Sequence, residues 1–533
     1  MTNKCKIQGC DNEKHSPYEE CVLHCEKHDL QTDLNSGLLA KFFDSLVNNC
    51  RCLLLPNCTE KAVNEEIESF LKSKSTTKNN TYSNENSKRK ISTKIIFSRI
   101  KFPERMKGDS NDFLPIFWSF QIIHFSGCHF NFSEIEDCSD IQFFFESCEF
   151  KNDWYLTPTF MAENMIGYLY QTCIFYKTVT NINPQLQIKG RIKIDGNLFY
   201  LCTFSKNIEF YGAEFNGIVF DQVSKRIKYS DSEIKINNCI FNNKFMLNEN
   251  VFTLFEIRDT TFNDKIEFKS SKVNYLIIKN SNFLKDVDYF GSMFSSLNIE
   301  KSIFNDFVGF EKCIFGIEKF AKVKEDYSEE LDCKVATFEY STFQSFINFR
   351  ETKFIYGLDI KNINLKQPPN FLNTEINLEN TNRESFRIVK NSFDSVGNHI
   401  EANKFFRNEM EKYREELKNK EGHIREKFVF FINKISSDYG QNYLLPLGWV
   451  IFVMYLHTLV KKGYIENWLY SIEFIKNYNL SNYIEWLNEF AKNLTPMKNF
   501  LSSGFEFLSL LFYIAYVVLI YQTVVALKRL TKR

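Results

Sequence analysis

A short motif built on large apolar residues recurs through the middle of the chain. Each copy has a large apolar residue, two variable positions, a small residue, one variable position and then Phe. Copies lie at Phe125–Phe130, Phe145–Phe150, Phe310–Phe315 and Phe349–Phe354, with Cys or Thr at the small position. Side chains two positions apart lie on one face of a strand. The motif therefore predicts strands that each direct one small and one large residue inward.

The spacing of the copies predicts stacking. Phe262, Phe283 and Phe304 follow one another every 21 residues, and elsewhere the step is 11 residues, as from Phe204 to Phe215. Repeats of about 20 residues with an inner period of two indicate a solenoid. Each buried ring of a Phe ladder would contribute about 2–3 kcal/mol, and a second large neighbour would overfill the interior. An ordinary Phe-rich α+β domain is the alternative, but it leaves the spacing unexplained.

The pattern resembles that of pentapeptide-repeat proteins, over roughly residues 120–365. Their repeats also place a small residue two positions before Leu or Phe. The resemblance implies a right-handed quadrilateral β-helix, so the predicted fold class is mainly β, followed by a C-terminal helical hairpin and two transmembrane helices. Insertions near 152–165, 223–233 and 318–335 interrupt the pattern, and we expect loops there.

Composition supports this interpretation and limits the function. The chain has 56 Phe but 19 Gly and 10 Pro, which is few for a fold rich in hairpin turns. Lys+Arg and Asp+Glu are both 66, so we expect no nucleic-acid partner. There are 15 Cys, an odd number, and no signal-peptide pattern opens the chain. We interpret six of them as reduced core residues at the small position of the repeat: Cys128, Cys148, Cys173, Cys202, Cys239 and Cys313.

The first thirty residues carry a Cys/His cluster. Cys5 and Cys10 are followed by Cys21 and His24, the arrangement that wraps a tetrahedral zinc ion. We predict that these four residues bind a structural Zn2+, because so short a segment has too little core to fold alone. Cys25 or His28 could replace His24 as the fourth ligand. A disordered tail without metal is the alternative.

A second metal site is less well supported. Cys50, Cys52 and Cys58 have irregular spacing and no His partner. They lie near a segment, 38–71, whose apolar spacing predicts one or two short helices. The polar run that follows, 72–92, has the composition of a flexible linker.

The C-terminal third is helical and apolar. Phe386, Val389 and Phe393 predict a helix that ends at Gly397, and a second helix starts near Glu401. We expect these two helices to cover the end of the repeat, which we expect to stop near residues 367–369.

Two apolar stretches near the C-terminus predict membrane spans. Residues 507–527 contain no charged residue and are long enough to cross a bilayer. Residues 443–460 form a shorter stretch, also without charge, that we interpret as a second span; a buried or re-entrant helix is the alternative. Lys and Arg before the first and after the second stretch predict that both flanks are cytoplasmic, although Lys461 and Lys462 oppose this locally. Between the spans, the aromatic residues Tyr464, Trp468, Tyr478 and Trp486 predict amphipathic helices at the membrane surface.

The predicted domains are 1–30, a zinc-knuckle-like segment; 31–71, a short helical segment; 72–93, a flexible linker; 94–370, a β-helix with an N-terminal cap; 371–435, a helical cap; and 436–533, a membrane domain with spans at about 443–460 and 507–527.

We predict no enzyme, because the chain contains no phosphate-binding glycine loop, HExxH or Gly-x-Ser-x-Gly motif. The favoured function is a scaffold or sensor anchored in the inner membrane. Its rigid β-helix would lie in the cytoplasm and bind a protein partner that the sequence does not identify, and the chain could form a homo-oligomer. The alternative is a small oligomeric ion channel gated through the β-helix, although no selectivity-filter sequence lies between the spans. DNA mimicry would need an acidic rod, which the balanced charge does not supply.

Overall fold

The computed structural model describes residues 4–54, 91–105, 112–118, 120–135, 141–156, 167–182, 191–221, 232–319, 335–418, 422–465, 481–492, 501 and 503–531. Most of the predicted linker, Cys58 and the central parts of the three predicted insertions lie outside these residues. The chain divides into two compact units, Met1–Asn380 and Thr381–Arg533.

The first unit is rich in parallel strands arranged in several sheets that do not close on themselves. Strands pair in parallel with partners that lie one repeat further along the chain. Phe241 pairs with Phe262, Phe262 with Phe283, and Phe283 with Phe304, which is a constant step of 21 residues. A constant parallel step is compatible with a β-solenoid, and it confirms the strand content predicted from the motif.

Five sheets are present in the described residues. Sheet A consists of Ile91–Ser98, Phe120–Ser126, Gln142–Glu146, Tyr168–Gln171, Asn197–Tyr200 and Phe220–Asp221. Sheet B consists of Trp154–Tyr155, Val179–Thr180, Ile208–Tyr211, Glu233–Asn237, Val251–Arg258, Lys272–Lys279, Met293–Glu300, Ile314–Phe315, Lys353–Phe354, Glu375–Ile376, Ala336–Glu339 and Leu358–Asp359. Sheet C consists of Ile192–Ile194, Ala213–Phe215, Ile240–Phe241, Thr261–Phe262, Asn282–Phe283, Ile303–Phe304, Thr342–Phe343 and Asn364–Leu365. Sheet D consists of Lys101–Phe102, His129–Phe130, Glu149–Phe150, Ile174–Phe175 and Thr203–Phe204. Sheet E consists of Phe245–Met246, Ile266–Glu267, Val287–Asp288, Val308–Gly309 and Ile347–Asn348.

Buried aromatic rings stack from one strand to the next. In sheet C, the Phe283 and Phe304 ring centroids are 4.5 Å apart with planes 2° apart, and Phe304 stacks in the same way on Phe343 at 4.7 Å. In sheet D, Phe130 and Phe150 are 4.9 Å apart and nearly parallel. Parallel pairing in constant register places like rings above one another, which produces the ladders that the 21-residue spacing predicts.

Inward pairs of one small and one large residue occur on some faces and not on others. Thr260 and Phe262 form such a pair in sheet C, and both are buried. Phe255 and Ile257 in sheet B are both large and both buried. Ile266 in sheet E and Phe268, which follows its strand, are another pair of large buried residues. The expectation of a small residue on every face was therefore wrong. The motif therefore describes only those faces on which a small and a large residue are buried together, and other faces bury two large residues.

The ladder also continues past the predicted stop at residues 367–369. Phe371 stacks on Phe349 with ring centroids 5.0 Å apart, and the Thr374 hydroxyl donates to the Phe349 carbonyl at 2.7 Å. Ile376 then pairs with Phe354. The two prolines are accommodated because they lie between strands and not within a hydrogen-bonded ladder.

The N-terminal segment and two helices pack on the first strands of the sheets. These two helices are α1 (Leu30–Asn35) and α2 (Leu38–Leu54). A third, short helix, α3 (Leu114–Phe117), follows the first strands along the chain. Phe42 of α2 lies 5.9 Å from the ring of Phe102 and 5.7 Å from that of Phe113, both edge to face. The end of the sheet stack that begins with Phe102 is thus covered by apolar side chains.

The second unit is helical. It contains α4 (Arg383–Ser395), α5 (His399–Lys418), α6 (Ile424–Ser437), α7 (Leu444–Ile465), α8 (Ser481–Lys492) and α9 (Glu506–Thr531). Asn382 caps α4 by accepting from the Ser385 amide, and Gly397 follows α4 with a φ of 77°. The α4–α5 hairpin agrees with the helices predicted from residues 386–413.

Candidate metal centre and membrane-facing helices

The structure brings Cys5, Cys10, Cys21 and His24 together near the N-terminus. One potential ligand atom from each residue lies within 4.8 Å of all the others. The Cys10 and Cys21 sulfurs are 3.7 Å apart, and two thiolates on a tetrahedral zinc ion lie about 3.8 Å apart. His24 Nδ1 lies 3.2 Å from the Cys21 sulfur and 3.6 Å from that of Cys5. The cluster is compatible with zinc.

Local chain geometry positions these donors. The Cys21 amide donates to the Cys5 sulfur at 3.2 Å, and the amides of His24 and Cys25 both donate to the Cys21 carbonyl. This tight turn directs the side chains of Cys21 and His24 to the same side. The backbone of Ser98 in sheet A lies close enough to the His24 ring to act on the pKa of His24, in the direction opposite to burial.

The two alternative ligands lie elsewhere. Cys25 is fully buried, and its thiol donates to the Val22 carbonyl at 3.6 Å. His28 Nε2 lies 2.7 Å from the hydroxyl of Tyr18. Neither residue belongs to the cluster of donors. Of the candidates considered for the fourth position, only His24 is placed with the three thiols.

Burial sets the electrostatics of the cluster. It raises the pKa of the Cys10 thiol to about 12, and the neighbouring Cys21 and Cys5 add to this shift. Burial also lowers the pKa of His24, so its neutral form is favoured. Neutral imidazole is the form that binds metal, whereas a thiolate in this setting needs a compensating positive charge. A divalent cation bound by the four donors would supply that charge.

Lys27 stabilises the turn that carries Cys21 and His24, a role that the sequence pattern did not predict. The side chain is only 7% exposed. Its Nζ donates to the Val22 and Cys25 carbonyls, both at 2.8 Å, and lies 5.3 Å from the centre of the Phe42 ring. Lys27 therefore joins the Cys21–Cys25 turn to helix α2. In sequence it resembles any surface lysine in a charged segment.

The same segment is attached to the sheets. The Lys101 amide donates to the Leu23 carbonyl at 2.9 Å, and the Lys101 ammonium forms ion pairs with Glu26 at 2.9 Å and Glu20 at 3.5 Å. The Cys/His segment is thus part of the unit that contains the sheets. Of the possible second set of ligands, Cys50 is buried and Cys52 is exposed, so they do not converge on one site.

Two helices of the second unit are long and apolar enough to cross a membrane. The apolar windows are Leu444–Gly463 in α7 and Glu506–Arg529 in α9, of which only 6% and 17% are buried. The core helix of a soluble protein would be mostly buried. At 1.5 Å per residue, these stretches of 20 and 24 residues reach about 30 Å or more, the thickness of the hydrocarbon layer.

The two apolar helices contact each other through a histidine. His457 of α7 stacks on Phe512 of α9 with ring centroids 4.5 Å apart. Its Nδ1 lies 3.2 Å from the hydroxyl of Tyr516. Near the other end of the pair, the Arg529 side chain donates to the Tyr439 carbonyl just before α7. The start of α7 and the end of α9 therefore lie on the same side of this pair.

Helix α8, between the two apolar helices, carries exposed aromatic side chains. Tyr483 and Trp486 are 57% and 59% exposed, and their rings stack 5.9 Å apart. The Asn488 amide holds the turn before α9 by donating to the Gly504 carbonyl at 2.6 Å. Exposed Trp486 agrees with the aromatic residues expected at a membrane surface, whereas Trp468 and Tyr478 lie outside the described residues.

Comparison with known proteins gives no relatives: no protein-family model, curated protein or solved structure matches the chain.

Proposed function

We propose that the protein is a membrane-anchored scaffold. Its first unit would be a right-handed quadrilateral β-helix of the pentapeptide-repeat type, held at the inner membrane by α7 and α9 and binding a protein partner in the cytoplasm. The constant parallel step of 21 residues supports the β-helix. The largely exposed apolar surfaces of α7 and α9 support the anchor, and this is the observation on which the proposal rests.

The contact between the ends of α7 and α9 supports a hairpin topology. The Arg529 side chain at the end of α9 donates to the Tyr439 carbonyl just before α7, and it also lies over the ring of Phe406 in α5, 4.5 Å from its centre. Lys434 precedes α7, and Lys528 and Arg529 end α9, so basic residues lie where the chain enters and leaves the proposed spans, which favours a cytoplasmic position for both flanks. The first unit would then lie on the cytoplasmic side.

The Cys/His cluster would bind Zn2+ as a structural ion. Cys5, Cys10, Cys21 and His24 would fill all four tetrahedral positions of the ion, so no position would remain for a substrate. The ion would hold the N-terminal segment against Lys101 and Phe102 at the start of the sheets. There it would protect the first rings of the ladder from water.

Alkaline-carbonate extraction of membranes tests the anchor. We expect the full chain to remain in the pellet, as an integral membrane protein does, and release into the supernatant would contradict the proposal.

Photo-crosslinking then tests the scaffold function, with probes at the exposed positions Ile303 and Tyr340 of the first unit. A reproducible protein adduct that depends on these positions identifies the partner. Absence of any adduct in intact cells would count against a scaffold.

A channel is the second candidate, and the contact of His457 with Tyr516 between the proposed spans favours it. Ionisable residues between membrane helices often lie on ion or proton pathways. Recording from planar bilayers distinguishes the two functions: a scaffold is silent, whereas a channel conducts and changes its conductance when His457 is replaced by Phe.

A further inference from the structure

Helix α6 differs from the amphipathic helices α2 and α4 because its apolar face is open. Ile424, Phe428, Phe431, Ile432 and Ile435 follow the spacing of one helical face, and they are 77%, 62%, 55%, 38% and 39% exposed. The equivalent faces of α2 and α4 are buried in their units. An open apolar stripe of this length marks an interaction surface.

The opposite face of α6 is held by its own unit. Phe430 packs edge to face on Tyr413 with ring centroids 5.0 Å apart. The Lys434 ammonium lies 2.7 Å from a carboxylate oxygen of Glu411, and Ser437 is fully buried. The helix is therefore fixed in orientation, and its open stripe is a stable feature of the surface.

Helix α6 is joined to both proposed spans. The Trp449 indole of α7 donates to the Ile435 carbonyl at 3.0 Å. The Gln522 side chain of α9 donates to Asn433 at 3.1 Å and accepts from Ser437 at 2.9 Å. The stripe thus continues directly into the surface that the spans expose to lipid.

The charge of α6 suits a membrane surface. Arg425 and Lys427 lie beside the open stripe, and Glu426 is the one acid of the helix, whereas Lys434 is paired with Glu411 on the other face. Basic residues beside an apolar stripe are typical of helices that lie in the interface between lipid headgroups and acyl chains, where anionic headgroups attract them.

We propose that α6 lies in the plane of the membrane, with Ile424, Phe428, Phe431, Ile432 and Ile435 inserted among the lipids at the cytoplasmic interface. This inference rests on the proposed membrane anchor. The helix would make a third membrane contact beside the two spans and would fix the tilt of the second unit against the bilayer. With a polar loop in place of α6, only the two spans would fix the orientation of the second unit relative to the bilayer.

Photo-crosslinking of the full chain in nanodiscs of phosphatidylethanolamine and phosphatidylglycerol tests the inference. Phe431→benzoylphenylalanine places the probe on the open stripe, and Phe430→benzoylphenylalanine places it on the protein-facing side, one residue away. We expect several-fold more lipid adduct, detected by intact mass, from position 431 than from position 430. A third probe at Phe428, whose side chain is 62% exposed, repeats the test at a second position of the open stripe.

A probe at Phe452, an exposed residue of α7, separates this inference from the proposed anchor. Lipid adducts at Phe452 without adducts at Phe431 and Phe428 would overturn the interfacial position of α6 and leave the spans intact. No lipid adduct at any position would overturn both. Crosslinked dimers at Phe431 would mean that a second copy covers the stripe, and this outcome also overturns the inference.

Discussion

At the scale of single residues, the small inward positions form hydrogen bonds as well as making room. The Cys173 thiol donates to the Phe145 carbonyl at 3.3 Å, and Cys202 donates to that of Tyr170, also at 3.3 Å. The Thr352 hydroxyl makes the same contact with Phe310 at 2.6 Å. Cys, Ser and Thr alternate at this position because each is small and each supplies a donor for a buried carbonyl.

The ring ladder gives a first prediction. Phe283→Ala leaves a cavity between Phe262 and Phe304 and should destabilise the first unit by about 3–5 kcal/mol. The thermal midpoint of the β-sheet circular-dichroism signal measures this loss. Leu284→Ala is the control: its side chain is 39% exposed, so the same type of truncation at the adjacent position should leave the midpoint nearly unchanged. Equal shifts for both variants would show that the ladder contributes no more than an ordinary surface residue.

The metal centre gives a second prediction. Cys10→Ser should reduce the zinc content of the purified protein severalfold, because serine is a poor ligand for zinc. Cys25→Ser should retain the zinc, because Cys25 is buried nearby but directed away from the cluster. Elemental analysis of both proteins measures the ratio of zinc to protein. Zinc loss from the Cys25 variant alone would show that the ligand set is wrong.

The same site predicts a dependence on pH. The pKa of His24 is lowered in the folded chain from its ordinary value of 6.5, so the unfolded chain binds more protons as pH falls below that value, and stability falls with it. Protonation of the Cys thiolates acts in the same direction. We therefore expect zinc release and a lower thermal midpoint between about pH 7 and pH 5. A chelator-treated sample, measured over the same range, is the control: its midpoint should fall less than that of the zinc-loaded protein.

At the scale of elements, helices that carry large apolar residues lie in different surroundings. Helices α2 and α4 bury their apolar faces, whereas α7 exposes Ile451, Met454 and Tyr455, which are 63%, 53% and 63% exposed. In water such a helix would be strongly destabilised. In a bilayer the same exposure is favourable, because the surrounding acyl chains replace the missing protein contacts.

A charge in the middle of α7 tests its placement. Met454→Arg should make membrane insertion less favourable by about 2.5–3.5 kcal/mol, the value found for a basic residue at the centre of a spanning helix. The fraction of protein that resists carbonate extraction should fall. Val396→Arg is the matched control, because Val396 is an exposed apolar residue outside the proposed spans (74% exposed). If the two variants behave alike, α7 is not a span.

At the scale of the whole molecule, the chain divides into a sheet unit and a helical unit at residue 380. The Cys/His segment belongs to the sheet unit through the contacts of Lys101 and Phe42. The proposed anchors belong to the helical unit. The proposed display of the sheet unit at a membrane would require such a division, since the two parts would then meet different solvents.

Removing the proposed spans should therefore release the rest of the chain. Deletion of residues 424–533, which removes α6 together with both proposed spans, should move the protein from the membrane pellet to the soluble fraction, as measured by ultracentrifugation and immunoblotting. Circular dichroism of the soluble product should retain the β-sheet signal, because the strand ladders lie before residue 380. Continued pelleting of a folded product would mean that another segment holds the protein at the membrane.

The sequence by itself determined the properties that depend on local order along the chain. The 21-residue step predicted which Phe residues stack, the uncharged stretches predicted the apolar helices, and Gly397 predicted where α4 ends. Each is a repeat or a boundary that neighbouring residues encode, because strand and helix periods are short-range properties. The cluster of Cys5, Cys10 and Cys21 was visible from spacing for the same reason.

Only the tertiary structure decided which side chains meet across long separations. It placed His24 with the thiols while Cys25 and His28 lie elsewhere, and it buried Lys27 beneath α2. It also continued the ladder beyond residue 369 and left the apolar face of α6 uncovered. These outcomes depend on how distant segments pack, and the local pattern of residues contains no record of which neighbour will cover a given face.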